Sequence, residues 1–169
     1  MHETEAELEQ LQELLDRTHA GMSTEHMREI VKPERRLTAR QVAAHLQGTR
    51  HVAFATVSSA GAPLVRPLDG VFIHGRFTVG SSRDSLMARH LERDARCSLL
   101  YMETEDFGVT VHGRAELIPE HHRDADALAA VWTGIYESSP YSWGEVVLAR
   151  IHADRMWTYA SDPSRFPEG

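Results

Sequence analysis

A chain of 169 residues with 41% hydrophobic and 25% charged residues has the length of one domain and enough apolar content to bury a single core. Its net charge of −7 is uneven: residues 1–16 carry six acids (Glu3, Glu5, Glu7, Glu9, Glu13, Asp16) and no Lys or Arg, which leaves the remainder close to balance. That balance gives no basic footprint for nucleic acid, and no apolar run reaches the roughly 18 residues of a membrane span. The acidic start lacks the basic and apolar regions of a signal peptide, so the expected location is cytoplasmic, with no membrane and no nucleic-acid partner.

Leu8, Leu11, Leu14 and Leu15 form an apolar stripe at helical spacing with acids on the other faces, which predicts a helix over about 3–19. Gly21 interrupts it, a short helical run covers about 24–31, and Pro33 stops that run. Thr38-Ala-Arg-Gln41 has capping-box spacing, and Val42, Ala43 and Leu46 give a third helix an apolar face that ends near Gly48. These helices carry no evident chemistry and read as an N-terminal helical extension (1–37) leading into a main domain (38–169).

From His51 the period changes to two. Val52, Phe54 and Thr56 alternate through a strand of about 51–58, Ser59-Ala-Gly61 turns the chain, and a long strand covers Pro63 to Ile73. Gly70 within it predicts a bulge or a close approach. His74-Gly75 is a tight connection into a short strand, Arg76 to Val79, followed by Ser81 to Ser85 opening an Arg-rich helix that ends near Arg93. Strands follow at 97–102 and 107–118, a helix at about 120–136 after Pro119, and two last strands at 145–151 and 155–159. Six or seven strands in hairpin order predict a mostly β fold with flanking α, an antiparallel split β-barrel with N-terminal helices.

Motifs for other chemistries are missing. There is no Gly-x-Ser-x-Gly, P-loop or Gly-x-Gly-x-x-Gly. The eleven histidines form no metal-ligand spacing, so no metal is expected, and the lone Cys97 lies in an apolar strand as a buried thiol. Asp69 and His112 sit in strands within reach of a ligand or of a structural partner. Trp143, Trp157 and Tyr159 are either stacking surfaces for a ring system or core anchors.

Three segments carry a resemblance: Ala55-Thr-Val-Ser-Ser-Ala-Gly-Ala-Pro-Leu-Val-Arg66-Pro67, Phe77-Thr-Val-Gly80, and Arg89-His-Leu-Glu-Arg-Asp-Ala-Arg-Cys-Ser98-Leu-Leu. Over about residues 38–160 the chain resembles the flavin-binding split barrels of the pyridoxamine 5′-phosphate oxidase superfamily. The resemblance implies a homodimer with cofactor sites at the subunit interface, binding FMN or, alternatively, the deazaflavin F420, and passing hydride or electrons to a small substrate. It places contacts to the ring and phosphate on Arg66, Pro67 and Leu68 and phosphate contacts on Gly80, Ser81, Ser82 and Ser85, with Arg83, Met87 and Arg89 in the same cofactor site. No protein acid or base is implied as catalytic, because the cofactor carries the chemistry. Ser85-Leu86-Met87 stands where oxidases of the superfamily show Ser-Arg-Lys, which shifts the cationic role to Arg66, Arg83 and Arg89. On the other reading, Met87 and Leu91 face the core at i and i+4. A non-catalytic flavin, deazaflavin or haem binder and a cofactor-free interaction dimer stand as alternatives.

Overall fold

The computed structural model describes residues 2–169. Helices α1 (Glu5–Ala20), α2 (Glu25–Ile30) and α3 (Ala39–His45) precede strands β1 (Thr49–Val57), β2 (Pro63–Ile73) and β3 (Arg76–Ser82). Helix α4 (Leu86–Arg93) follows, then β4 (Arg96–Thr104), β5 (Phe107–Ile118), α5 (Ala125–Tyr136), a 3-10 turn over Pro140–Trp143 and β6 (Val146–Ala160). The six strands close antiparallel in the order β1-β2-β3-β6-β5-β4, with β4 returning to β1.

The expected capping box at Thr38 is present, and α1 has a second one that the sequence reading did not name. Thr4 Oγ1 accepts from the Glu7 amide at 3.3 Å while Glu7 Oε2 accepts from the Thr4 amide at 2.8 Å, and Thr38 and Gln41 do the same at the head of α3. The stripe on α1 then buries Leu8, Leu11 and Leu15 against the barrel together with Val42, Ala43 and Leu46 of α3. Thr18 ties α1 to β6, its hydroxyl accepting from the Met156 amide at 3.1 Å.

Inside the barrel, Val52, Phe54, Phe72, Phe77, Val79 and Leu99 fill the core from alternate strand positions. β2 and β3 meet at a two-residue turn in which His74 (φ 53°) and Gly75 (φ 72°) are both left-handed, the geometry of a type I′ hairpin. Gly70 pairs in register with Arg50 and Val79, so it marks no bulge. It is a close approach, because a Cβ there would come within 3.0 Å of Val52 Cγ1.

The bulge lies elsewhere. His112 pairs with Arg155 and Gly113 with Ala153, so Asp154 is the extra residue of β6. This accounts for the main difference from the sequence expectation: residues 145–151 and 155–159 are one continuous strand that bends at the bulge. The helix expected from residue 120 begins at Ala125, because the segment after Pro119 forms turns in which the Asp124 amide donates to His122 Nδ1 at 3.1 Å. A second apolar cluster lies outside the barrel, where Ala125, Leu128 and Trp132 of α5 cover Val71, Ile73, Ile118 and Leu148. Among the described residues no helix is long and apolar enough to cross a membrane.

Candidate functional site

Strand alternation decides which expected site residues meet. Across β1 and β2, Val52, Phe54 and Thr56 stand opposite Leu68, Arg66 and Leu64, and His51 and Ala53 stand opposite Asp69 and Pro67. The outward set, with the outer face of β3, forms the floor of a cleft of about 550 Å³ that α5 and the 3-10 turn wall on the far side. Pro67, Asp69, Gly80, Ser81 and Ser82 line it, and so does Leu68, although it pairs with Val52 and packs against the barrel core. Gly80 lets the helix close on the sheet, since a Cβ there would come within 3.4 Å of the Trp132 ring and 3.3 Å of Leu148.

The wall is aromatic. Trp132 and Tyr136 of α5 stack with centroids 5.6 Å apart, and Trp143 stands edge-on to both. Tyr136 donates its hydroxyl to Asp69 Oδ2 at 2.9 Å and accepts from Thr49 Oγ1 at 3.2 Å, while His51 Nδ1 lies 2.9 Å from Asp69 Oδ1. Burial pushes the Tyr136 hydroxyl up, as does the Asp69 carboxylate, against the opposing pull of the Thr49 bond, so the phenol stays protonated at neutral pH. The Trp132 indole N–H is buried without an acceptor among the described residues.

The remaining expected residues lie outside this cleft. Ser85 caps α4, its hydroxyl oxygen accepting from the Ala88 amide at 3.1 Å. Arg83 and Arg89 are exposed and enter no ion pair among the described residues, and the Arg83 amide donates to the Glu145 carbonyl at 2.7 Å. Arg66 shares the face of Phe54 and Thr56, near His90, whose Nδ1 lies 2.9 Å from Thr56 Oγ1. Burial lowers the His90 pKa, and the charges of Arg66, Arg93 and Arg89 lower it further.

Met87 needs correction as a ligand contact. It is fully buried and packs, with Leu91, in the barrel core, so the i, i+4 apolar pair is a packing feature and no phosphate can reach it.

Of the other residues singled out, Trp143 is in the cleft. Trp157, Tyr159 and His112 line a separate groove of about 400 Å³ between α2 and strands β4 to β6, where His112 Nδ1 lies 2.6 Å from Ser98 Oγ. Cys97 is buried, and burial together with the Asp154 charge pushes its thiol up to about 12 against the opposing charge of Arg114. Among the described residues no three His, Cys, Asp or Glu side chains are grouped to hold a metal. Sequence reading missed His51, Trp132 and Tyr136. For the last two the signal was present as an aromatic pair four apart on one helix.

A closed antiparallel six-stranded barrel with a cleft between its outer wall and a single covering helix defines a split-barrel protein. The sequence model of the pyridoxamine 5′-phosphate oxidase family matches residues 38–159, and the chain belongs to that family. No curated protein sequence matches it. Among solved structures, it is similar to the conserved hypothetical protein Rv2991 from Mycobacterium tuberculosis, with 22% identity over 80% of this chain and 92% of that one and a TM-score of 0.64. It is also similar to an F420 reductase, with 14% identity over 66% and 91% of the two chains and a TM-score of 0.53. A haem-binding protein from Mycobacterium smegmatis matches with 17% identity over 72% and 56% and a TM-score of 0.50. At these identities the likeness shows the fold.

Proposed function

We propose that the protein is an FMN-binding oxidoreductase that passes hydride or electrons to a small unsaturated or carbonyl substrate. One observation carries this reading: Pro67 and Leu68 of β2 and Gly80, Ser81 and Ser82 of β3, the two strands to which the resemblance assigns ring and phosphate contacts, line a single cleft of about 550 Å³. The residues present fit such a group. The cleft offers the Pro67 and Leu68 surface for a ring and the Ser81 hydroxyl for a phosphate, beside Ser82, whose hydroxyl donates to Asp84, and Arg83, a cation in no ion pair among the described residues.

Bound FMN would supply the redox chemistry. The chain's own part is to hold the phosphate at Ser81, Ser82 and Arg83, with Arg66 and Arg89 adding positive potential, and to exclude water with Trp132, Tyr136 and Trp143. F420 is the second reading, supported by the fold shared with the F420 reductase. A cytoplasmic location belongs to the same reading.

The proposal includes a homodimer. The closed barrel leaves no strand edge to cover, but it presents an apolar outer face. Val65 (66% exposed), Leu100 (39%) and Met102 (59%) point outward around Ala53 and Ala55, and the groove beneath α2 continues that face.

The test is a titration of the apo protein with FMN and, separately, with F420, followed by cofactor fluorescence and thermal shift. Micromolar binding of FMN, weakened by about 1.5–3 kcal/mol in Arg83→Ala, is the expected result. Binding of F420 alone replaces the cofactor, and binding of neither overturns the reading in favour of a barrel acting through protein contacts.

A further inference from the structure

The α5 side of the cleft carries chemistry that phosphate binding does not use. Trp143 is 47% exposed, and its ring is held in place by an indole N–H bond to Ser138 Oγ at 2.8 Å and by edge contacts to Trp132 and Tyr136. Across from these rings is Asp69, whose two oxygens are each engaged once, by Tyr136 and by His51. A carboxylate accepts about four hydrogen bonds, so each oxygen keeps a free lone pair. Asp69 is the only carboxylate among the described cleft residues, His51 beside it is the one basic side chain there, and no Lys or Arg lines the cleft.

We propose that this side of the cleft is a subsite for a planar organic cation, seated against Trp143 and Tyr136 with the Asp69 carboxylate as its counter-charge. Two considerations favour that ligand over others. Aromatic ring faces carry negative charge density and attract a cation within about 6 Å of the ring centroid. A neutral ligand would shield Asp69 from water without compensating its charge, and an anion would be repelled, whereas a cation removes both costs. The inference goes beyond the flavin reading, because the subsite is built from residues of β1, β2, α5 and the 3-10 turn and needs no cofactor.

The experiment is a calorimetric and tryptophan-fluorescence titration of the apo full chain with 1-methylnicotinamide, a planar cation, and with nicotinamide, its uncharged near-isostere. The cation should bind the wild type about tenfold more tightly than the neutral ring. Asp69→Asn should erase that preference, and Trp143→Ala, which alters an exposed side chain, should weaken the cation severalfold in a folded protein. Equal affinity for the two probes, no binding of the cation, or a preference that survives Asp69→Asn overturns the subsite. If Asp69→Asn fails to fold, the wild-type probe pair and Trp143→Ala decide. FMN titration of the same samples separates the two readings: cation preference without FMN binding removes only the flavin reading, and FMN binding without cation preference removes only the subsite.

Discussion

Tyr136, in the last turn of α5, donates its hydroxyl to Oδ2 of Asp69 on β2 at 2.9 Å, and this bond fastens the covering helix to the barrel wall at the mouth of the cleft. The same hydroxyl accepts from Thr49 of β1, so one side chain spans two strands and a helix. α5 is tied to β6 at its start, where Arg150 donates to Asp124 Oδ2 at 2.7 Å, and otherwise holds to the barrel by apolar contacts, through Leu128 and Trp132. The Tyr136 bond is thus the polar tie at the end of the helix that lines the cleft.

Tyr136→Phe keeps the stack on Trp132 and deletes the donor. Because the Asp69 side chain is 44% exposed, water replaces part of the lost bond, and the expected cost is at the modest end, about 0.5–1.5 kcal/mol. Urea unfolding at neutral pH measures it. An unchanged midpoint would show that the bond contributes nothing to holding α5.

Met87→Lys tests the corrected position of that residue. Restoring the cation that oxidases of the superfamily carry would strengthen phosphate binding if Met87 faced the ligand. With the side chain fully buried, the substitution instead places an unpaired ammonium in the core and should destabilise by on the order of 3 kcal/mol or more. Leu86→Lys, one residue earlier at a side chain 54% exposed, should change stability by less than about 0.5 kcal/mol. Thermal unfolding of the pair checks both, and a stable Met87→Lys protein with tighter FMN binding would return Met87 to the site.

Two glycines make opposite predictions. A Cβ on Gly113 would lie 2.1 Å from the His152 carbonyl oxygen, a backbone atom that cannot rotate away, so Gly113→Ala should cost about 3 kcal/mol or shift the β5–β6 register. Gly134 lies within α5 with nothing inside 4 Å of its Cβ direction, so Gly134→Ala should stabilise by about 0.5–1 kcal/mol through helix propensity. Denaturant unfolding of both proteins gives the comparison. Equal effects would mean that the bulge is plastic.

Legibility in the sequence followed the strength of local signals. β2 and β5 have the bounds that alternation and turn residues predict, Pro63–Ile73 and Phe107–Ile118, because Gly61, His74-Gly75 and Pro119 punctuate them. β6 read as two strands because Asp154, extra at the bulge, breaks the alternation that periodicity relies on. The site was half legible for a related reason. Its floor comes from consecutive hairpin strands, whereas its wall is brought in from residues 132–143 by the packing of α5, a contact that no local pattern encodes. Arg66 and Pro67 show the limit most plainly: adjacent in sequence, they lie on opposite faces of β2, and only the register with Phe54 and Ala53 reveals which of them meets the cleft.

Glu116 links stability to pH on the side of the barrel where α5 begins. Its Oε2 accepts from Arg150 at 2.7 and 3.1 Å and pairs with His152 Nε2 at 2.7 Å, while Arg150 also reaches Asp124 Oδ2 at 2.7 Å. Partial burial alone would raise the Glu116 pKa, but the bonds and charges of Arg150 and His152 outweigh it and bring the carboxyl down from its ordinary 4.5 to about 2. A carboxylate whose folded pKa is depressed stabilises the fold fully above its unfolded value and loses that contribution as pH falls towards the folded one. The window is therefore from about 4.5 down to about 2. Since the Glu116 side chain is 35% exposed, solvent screening reduces the contribution to about 1–2 kcal/mol. Asp124, lowered chiefly by its hydrogen bond from Arg150, adds to the same acid limb. Unfolding free energy measured between pH 6 and pH 3 should fall more steeply for the wild type than for Glu116→Gln, which cannot titrate there. Parallel pH profiles would show that Arg150 is held by Asp124 alone.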